Sequence, residues 1–358
     1  MLIDISEDTS YEVLFQHIQF EITGACNMKC AHCRAWEEPK VNLPIDTIKQ
    51  IMIFGENFSV QPFLVTVSGG EPFMRSDLPE IIGLISESPV QEIIITTNGW
   101  FNDPSLLRNL RQVRNGLLTI QVSLDSINSK EHDTFRKKPG SFSRAIKTLR
   151  LAFELGFTTS VRMSVRSANL GEMSKMIELA TSLRANRVGF GPIIPTGRAK
   201  NRYLMTPGEK KSFHEELAKL RVKNSDKIEV TTEDPLKFAL NLPRVWDNGG
   251  LDPNEDGVFG GCTAGISSFN VGSAGVITPC AVLPIPIVET IGRTSEEIEN
   301  IYKSSPVIQS LFGRSFSGSC GKCSLRRICG GCRAIPYGIK GDYLAEDSSC
   351  WTCDIGHN

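Results

Sequence analysis

The 358 residues exceed one ordinary core, which favours one large and one small domain. The 39 basic and 40 acidic side chains nearly cancel and form no basic block, so neither nucleic acid nor an anionic membrane is an expected partner. Residues 1–8 are acidic with no apolar core of signal-peptide length, and no run is long enough to span a bilayer. Eleven cysteines, an odd number without an export signal, point to metal ligation in a reducing cytoplasm rather than to disulfides.

Residues 1–16 form a short N-terminal segment without a clear pattern. From 17 to 222 the chain alternates between strand-like and helix-like stretches. The strand candidates are 17–23, 63–67, 92–97, 118–124, 158–165 and 187–193, rich in Val, Ile, Phe and Thr and bounded by Gly, Asn or Asp. Leu78, Ile81, Ile82 and Ile85 follow helical spacing, as do Phe142, Ala145, Ile146, Leu149 and Phe153. Pro44 and Pro104 suit the first turns of helices, where a missing N–H costs nothing. Six β-α units imply parallel strands with right-handed crossovers. The expected fold is therefore α/β, an open partial (β/α)6 barrel. Residues 223–261, rich in Pro, Asn, Asp and Gly, read as a connector of loops. Residues 262–358 form a small cysteine-rich domain.

Parallel α/β folds place chemistry at the carboxyl ends of their strands, and each candidate motif falls on such an end. Cys26, Cys30 and Cys33, spaced C-x3-C-x2-C, follow the first strand. Gly69-Gly70-Glu71 follows the second, Thr97-Asn98-Gly99 the third and Ser123-Leu124-Asp125 the fourth. Arg162 lies in the fifth, and residues 195–199 follow the sixth. Three thiols with no fourth nearby do not make a closed zinc site. They suit a cubane cluster that leaves one iron free. Considered separately, the motifs have plainer readings. Gly-Gly is commonly just a turn, Asp125 a helix cap, and Arg162 the partner of a neighbouring acid. Packing of the loop accounts for His32 and Trp36, and His132 and His214 suit structural roles.

Together with Ser68-Gly69-Gly70-Glu71-Pro72, the triplet resembles the signature of radical S-adenosylmethionine (SAM) enzymes. The resemblance implies a [4Fe–4S] cluster on Cys26, Cys30 and Cys33 whose open iron binds SAM. It also implies reductive cleavage of SAM to a 5′-deoxyadenosyl radical that abstracts hydrogen from substrate. By the same resemblance Gly69 and Gly70 contact SAM's methionine part and Glu71 accepts from its ammonium. Asn98 lies on a third SAM-facing strand end, Ser123 and Asp125 belong to the ribose-side run, and Arg162 meets SAM's carboxylate or ribose. An external electron donor of flavodoxin or ferredoxin type is implied.

The other eight thiols lie between Cys262 and Cys353. Gly275-x4-Cys280 reads as a small hairpin. Cys320-x2-Cys323-x5-Cys329-x2-Cys332, then Cys350, resembles the SPASM extension of radical SAM enzymes, which holds two auxiliary [4Fe–4S] clusters. Carried over, Cys320, Cys323, Cys329 and Cys350 ligate the distal cluster, and Cys262, Cys280 and Cys332 the nearer one. Cys353 is left over, and the expectation is that it is not a ligand and the nearer cluster keeps an open iron. Paired C-x2-C elements also build zinc ribbons, the plainer alternative.

SPASM enzymes mostly modify ribosomally made peptides, and the run from Ser123 and Asp125 to Phe142 resembles that branch. The expected substrate is therefore a peptide, presented by a separate leader-binding protein, since residues 1–14 are too short for such a domain. Cys33-Arg34-Ala35 and the tail 330–347 resemble SPASM proteins acting on haem-type tetrapyrroles, which keeps that substrate as the alternative. A non-enzymatic iron–sulfur carrier is the further alternative, though it would not need the Gly-Gly-Glu strand end.

Overall fold

The computed structural model describes residues 1–6, 9–36, 38–101, 104–113, 118–240 and 261–352, so Cys353 and connector residues 241–260 lie outside the described residues. β1 (Leu2–Ser6) and β2 (Thr9–Glu12) pair as an antiparallel hairpin. The six expected parallel strands follow as β3 (Phe15–Thr23), β4 (Ser59–Gly69), β5 (Val90–Thr97), β6 (Leu118–Ser123), β7 (Thr158–Val165) and β8 (Arg187–Pro192). Between and after them run α1 (Ile45–Asn57), α2 (Leu78–Ser86), α3 (Ser105–Leu110), α4 (Ser129–Arg136), α5 (Ser141–Glu154), α6 (Met173–Ser182) and α7 (Pro207–Lys223). Pro44 and Pro104 occupy the N-caps of α1 and α3, one position ahead of the expected first turn.

The sheet does not stop at six strands. β9 (Glu229–Thr231) adds to β8 in parallel, so the stretch expected to be loop from residue 223 contains a further strand. On the opposite edge β10 (Ser268–Val271) pairs in parallel with β3, and β11 (Val276–Thr278) and β12 (Val288–Glu289) extend it antiparallel. The result is one ten-stranded sheet of order β12-β11-β10-β3-β4-β5-β6-β7-β8-β9. β10 and β11 form the expected hairpin, with Gly275 at φ +76° in its turn. The cysteine-rich region is thus continuous with the barrel sheet, where β10 satisfies the backbone groups of β3's open edge. Beyond it come α8 (Ser295–Ser304), α9 (Pro306–Gly313), α10 (Gly318–Lys322) and α11 (Ala334–Lys340), with β1 packed on α8 and α9.

The two faces of the sheet differ. One is apolar: Ile18, Phe20, Val65, Val67, Ile93, Ile95, Ile120, Val122, Val161, Met163, Val188 and Phe190 are fully buried in the main core. Each such side chain contributes roughly 1.5–3 kcal/mol. The helical stripes join this core through Leu78, Ile81, Ile82 and Ile85 of α2 and Ala145, Leu149 and Ala152 of α5. Phe153 departs from the expected stripe: it is 38% exposed, beneath the Arg184 guanidinium at 5.3 Å. The other face of the sheet is polar. His17 shares a hydrogen bond with Thr66 at 2.8 Å, Gln121 donates to Thr96 at 3.2 Å, and Arg187 bonds Glu92 and Glu229. A closed parallel barrel fills its interior with branched apolar side chains. This one lines it with hydroxyls, amides and charges.

Candidate functional site

The first thiol loop, residues 24–33, is held by strand ends all around the barrel. Gly70 N–H donates to Thr23 O (2.7 Å) and Glu71 N–H to Ala25 O (2.8 Å), which extends β4's pairing into the loop. A Cβ on Gly70 would stand 2.0 Å from Ala25 O, and one on Gly69, at φ +133°, 2.3 Å from Thr23 O. These glycines therefore allow the β4 end to pack directly on the thiol loop's own backbone. At β5's end Asn98 donates through Nδ2 to Asn27 (2.9 Å) and points at the Cys26 sulfur (3.9 Å). From β7, Ser164 Oγ lies 3.5 Å from His32 Nε2. Past β8, Arg198 donates from its backbone to Cys33 O (3.0 Å) and from its guanidinium to Cys30 O (3.3 Å).

Glu71 is fully buried. Its carboxylate accepts from Thr97 Oγ1 (2.7 Å), Asn98 N (2.8 Å) and Phe73 N (3.2 Å), tying the ends of β4 and β5 together. Burial pushes its carboxyl up to about 7 despite these donors. Asp125 is equally buried and ion-paired with Arg136 at 2.6 Å, its other oxygen accepting from Ser164 N at 2.9 Å. Burial alone would raise this carboxyl, but the Arg136 guanidinium and the His32 and His132 rings hold it well below the usual carboxylate range. Arg136 in turn points at the Cys30 sulfur, 3.9 Å away. Both carboxylates are fully buried, and each fixes a neighbour of a thiol: Glu71 holds the Asn98 backbone and Asp125 holds Arg136.

His132 is buried and accepts the Asp125 N–H at 3.1 Å, while His214 is buried against Asp234, so both are structural as expected. His32 stacks flat on Phe135 (4.5 Å, 2°), and Trp36, 45% exposed, lies under the Arg198 guanidinium at 4.2 Å. Ser123 and Arg162 face each other in register on β6 and β7. Arg162 lies across β8, where a Cβ on Gly191 would meet its guanidinium at 2.4 Å, and it pairs with Glu233 at 3.2 Å. The neighbouring acid weighed for Arg162 is thus Glu233, 71 residues away. Arg34 bonds Glu21 on β3 and lies within electrostatic reach of both Cys33 and Cys280, linking the first thiol loop to the cysteine-rich region.

Cys26, Cys30, Cys33, Cys262, Cys280, Cys320, Cys323, Cys329 and Cys332 are free thiols. Their electrostatic neighbours fall into three groups. Cys26 feels Cys30 and Cys33; Cys280 and Cys332 both feel Cys262; Cys323 and Cys329 both feel Cys320 and Cys350. Burial pushes the thiols of Cys26 to about 11 and of Cys280 and Cys329 to about 12, so they hold their protons at neutral pH until a metal displaces them. Among the described residues no three His, Cys, Asp or Glu side chains close around one point as a single ion requires. A cubane spreads its thiolates over separate irons, which three open groups accommodate.

Two arginines missed as site residues sit among the C-terminal thiols, both about 1% exposed. Arg333 donates to Tyr343 O (3.2 Å) and Ala345 O (2.8 Å), points at the Cys320 sulfur (3.6 Å), and leaves its buried Nε without a partner among the described residues. Arg314 donates to Cys262 O at 3.3 Å and feels the Cys262 and Cys329 thiols. A buried guanidinium needs an anion nearby. Sulfur donors with a fixed cation beside them fit an anionic iron–sulfur cluster. Lys210, paired with Asp234 at 2.7 Å and reaching Ser349 Oγ at 3.4 Å, ties α7 to the thiol-bearing tail. The only sequence signal for the two arginines was a charged residue inside the cysteine-rich region, and Lys210 had none.

Residues 20–180 match the model of the Radical SAM superfamily. The chain is 28% identical over 342 residues to an AdoMet-dependent heme synthase of Methanosarcina barkeri, covering 93% of this chain and 95% of that protein. It is 26% identical over 325 residues to the antilisterial bacteriocin subtilosin biosynthesis protein AlbA of Bacillus subtilis, covering 88% and 66%. Its fold matches Streptococcus suis SuiB bound to precursor peptide SuiA, with TM-score 0.75, 17% identity, and 95% and 76% of the two chains covered. No helix among the described residues is long and apolar enough to cross a membrane. With its thiol loop at the carboxyl ends of a parallel sheet, the segment 20–180 is a radical SAM domain, the domain of enzymes that use SAM and a [4Fe–4S] cluster.

Proposed function

We propose that Cys26, Cys30 and Cys33 hold the catalytic cluster, that SAM lies in the polar chamber beneath them, and that the substrate is a ribosomally made peptide. The observation that carries the site assignment is the thiol loop's attachment to the strand ends around a chamber lined by polar side chains. When bound to these three thiols, the cluster would supply the one-electron reduction that cleaves SAM and so gives a species able to take a hydrogen atom from substrate. The chain's residues supply the setting. Asn98 and Arg136 each point an N–H at one thiol sulfur, favouring its thiolate form. Asp125 locks Arg136 in place, and Glu71 braces the β4 and β5 ends. Ser123 and Arg162 meet SAM's ribose and carboxylate in this reading, which their register opposite each other on β6 and β7 supports.

Cys320, Cys323, Cys329 and Cys350 hold one auxiliary [4Fe–4S] cluster in this reading, and Cys262, Cys280 and Cys332 the other. The buried guanidinium of Arg333, whose Nη2 lies 3.6 Å from the Cys320 sulfur and whose Nε has no partner among the described residues, supports an anionic cluster there. The enzyme works in the cytoplasm with an external one-electron donor and a separate protein that presents the peptide leader.

Similarity to a bacteriocin biosynthesis protein supports the peptide substrate. Similarity over nearly full length to a heme synthase favours a second reading, a haem-type tetrapyrrole whose side chains are modified. Anaerobically reconstituted enzyme with SAM and dithionite tests both. Release of 5′-deoxyadenosine checks the radical chemistry. Its stimulation by a peptide encoded beside the gene, with a mass change in that peptide, supports the first reading; stimulation by an iron tetrapyrrole carrying propionates, with loss of carboxylate, supports the second.

A further inference from the structure

A groove of about 630 Å³ opens on the outside of the thiol loop. Its floor is Ala31, which follows Cys30, and Phe135, whose carbonyl accepts the Ala31 N–H at 2.9 Å. The Phe135 ring is sandwiched between His32, stacked at 4.5 Å, and the Arg166 guanidinium at 4.2 Å, with Tyr203 edge-on at 5.6 Å. One turn of loop backbone and one ring stack therefore separate the groove from Cys30 and Cys33. The rim is cationic. Lys130, Lys137, Arg166 and Arg202 line it against one lining carboxylate, Glu131, and exposed Lys29 projects from the loop itself. In a chain whose net charge is −1, this is a local concentration of positive charge.

We propose that this groove is the docking site of an acidic one-electron carrier of the flavodoxin kind. The proposal rests on the radical SAM reading of the thiol loop. Each reductive cleavage consumes one electron: the carrier is oxidised by one electron, and that electron ends, with SAM, in methionine and the 5′-deoxyadenosyl group. The chain offers no source for it, so it must enter from outside, close to the loop. An apolar, aromatic floor within a charged rim is the anatomy of a small protein–protein interface. Transient redox complexes are of the small kind, and opposite charges steer their encounter. The groove is lined by Ala31, between Cys30 and Cys33, so an electron delivered there arrives beside the thiol loop. Charge and position together favour the electron donor over a peptide.

The test compares wild type with the triple variant Lys130→Glu, Lys137→Glu, Arg202→Glu, three exposed side chains outside the thiol and SAM machinery. 5′-Deoxyadenosine release is measured with dithionite and, separately, with an acidic flavodoxin kept reduced by its reductase, across a range of salt concentrations. Iron content is checked in both proteins. The flavodoxin-driven rate of the variant should fall by about tenfold or more at low salt and lose its salt dependence. Its dithionite-driven rate should stay within about twofold of wild type, because a small reductant needs no steering. An unchanged flavodoxin-driven rate would overturn the docking site. A parallel fall with dithionite at normal iron content would assign the groove to SAM or substrate, overturning it equally. If wild type itself releases no 5′-deoxyadenosine with dithionite, the radical reading fails first, and that result is distinguishable from both others.

Discussion

Around the first thiol loop the nearby cation is already neutralised, since Arg136 is ion-paired with Asp125 before it reaches Cys30. Around the C-terminal thiols it is not: among the described residues Arg333 bonds two carbonyls and the Cys320 sulfur. The first arrangement is electrically complete without metal, so the loop can be shaped by the barrel alone. The second holds a buried guanidinium with no ion pair among the described residues, set among thiols and near the buried Asp347, so ionised thiols, and hence a bound cluster, add to its balance. The barrel is therefore expected to fold first and accept its cluster, whereas the tail is expected to depend on metal for its own order.

The strongest test of this division is Cys30→Ala. It should reduce 5′-deoxyadenosine release to background while leaving about eight of about twelve irons per chain, because the auxiliary thiols are untouched. Release at the wild-type level would break the assignment of the loop, and zinc in place of the retained iron would make the tail a zinc ribbon.

Removing all metal by anaerobic chelation should come next in size. Limited proteolysis should then cut within 314–352 while β3 to β8 and their helices resist. Equal resistance of both regions in metal-free protein would erase the proposed contrast.

Asp125→Asn attacks the self-neutralised side. It leaves Arg136 buried without its counter-charge, and breaking such a pair costs about 3–5 kcal/mol. Urea unfolding of metal-free protein should show a loss of this order. A change under 1 kcal/mol, read against the roughly 0–1 kcal/mol of a surface pair, would mean that Arg136 finds another partner.

The smallest effect concerns pH. His132 is buried and accepts the Asp125 N–H, and burial lowers its pKa from 6.5 to about 4 despite the attraction of Asp125. A histidine depressed in the folded state binds more protons when unfolded between these values. Its contribution to stability is therefore complete above pH 6.5 and is lost as pH falls from 6.5 towards about 4. Between pH 8 and 5.5 metal-free wild type should lose about 1.4 kcal/mol through this group, a loss that His132→Asn should lack. Parallel pH profiles of the two proteins in urea would assign the acid sensitivity elsewhere.

Much of this molecule was legible locally. Runs rich in Val, Ile, Phe and Thr, bounded by Gly, Asn or Asp, located all six barrel strands to within a few residues, because β-branched and aromatic side chains fit a pleated, buried surface. The thiol triplet was equally legible, its three donors lying within one short loop. Other features depend on register and on sequence-distant contact, which leave no periodic trace. Pairing of β10 with β3 joins residues some 250 apart and makes one sheet of two expected domains. The Gly-Gly turn was visible, but only the folded chain shows Ala25 O where a Cβ on Gly70 would stand. Glu71 and Asp125 were recognised as important carboxylates, yet which partner each holds was decided by the strand ends brought beside them. Arg333 was one charge in a cysteine-rich run until folding buried it against Cys320. Sequence by itself determined the local chemistry, the types of donor and their spacing. Tertiary structure decided which charges are compensated and which wait for a ligand, because electrostatic energy depends on distance and burial rather than on order along the chain.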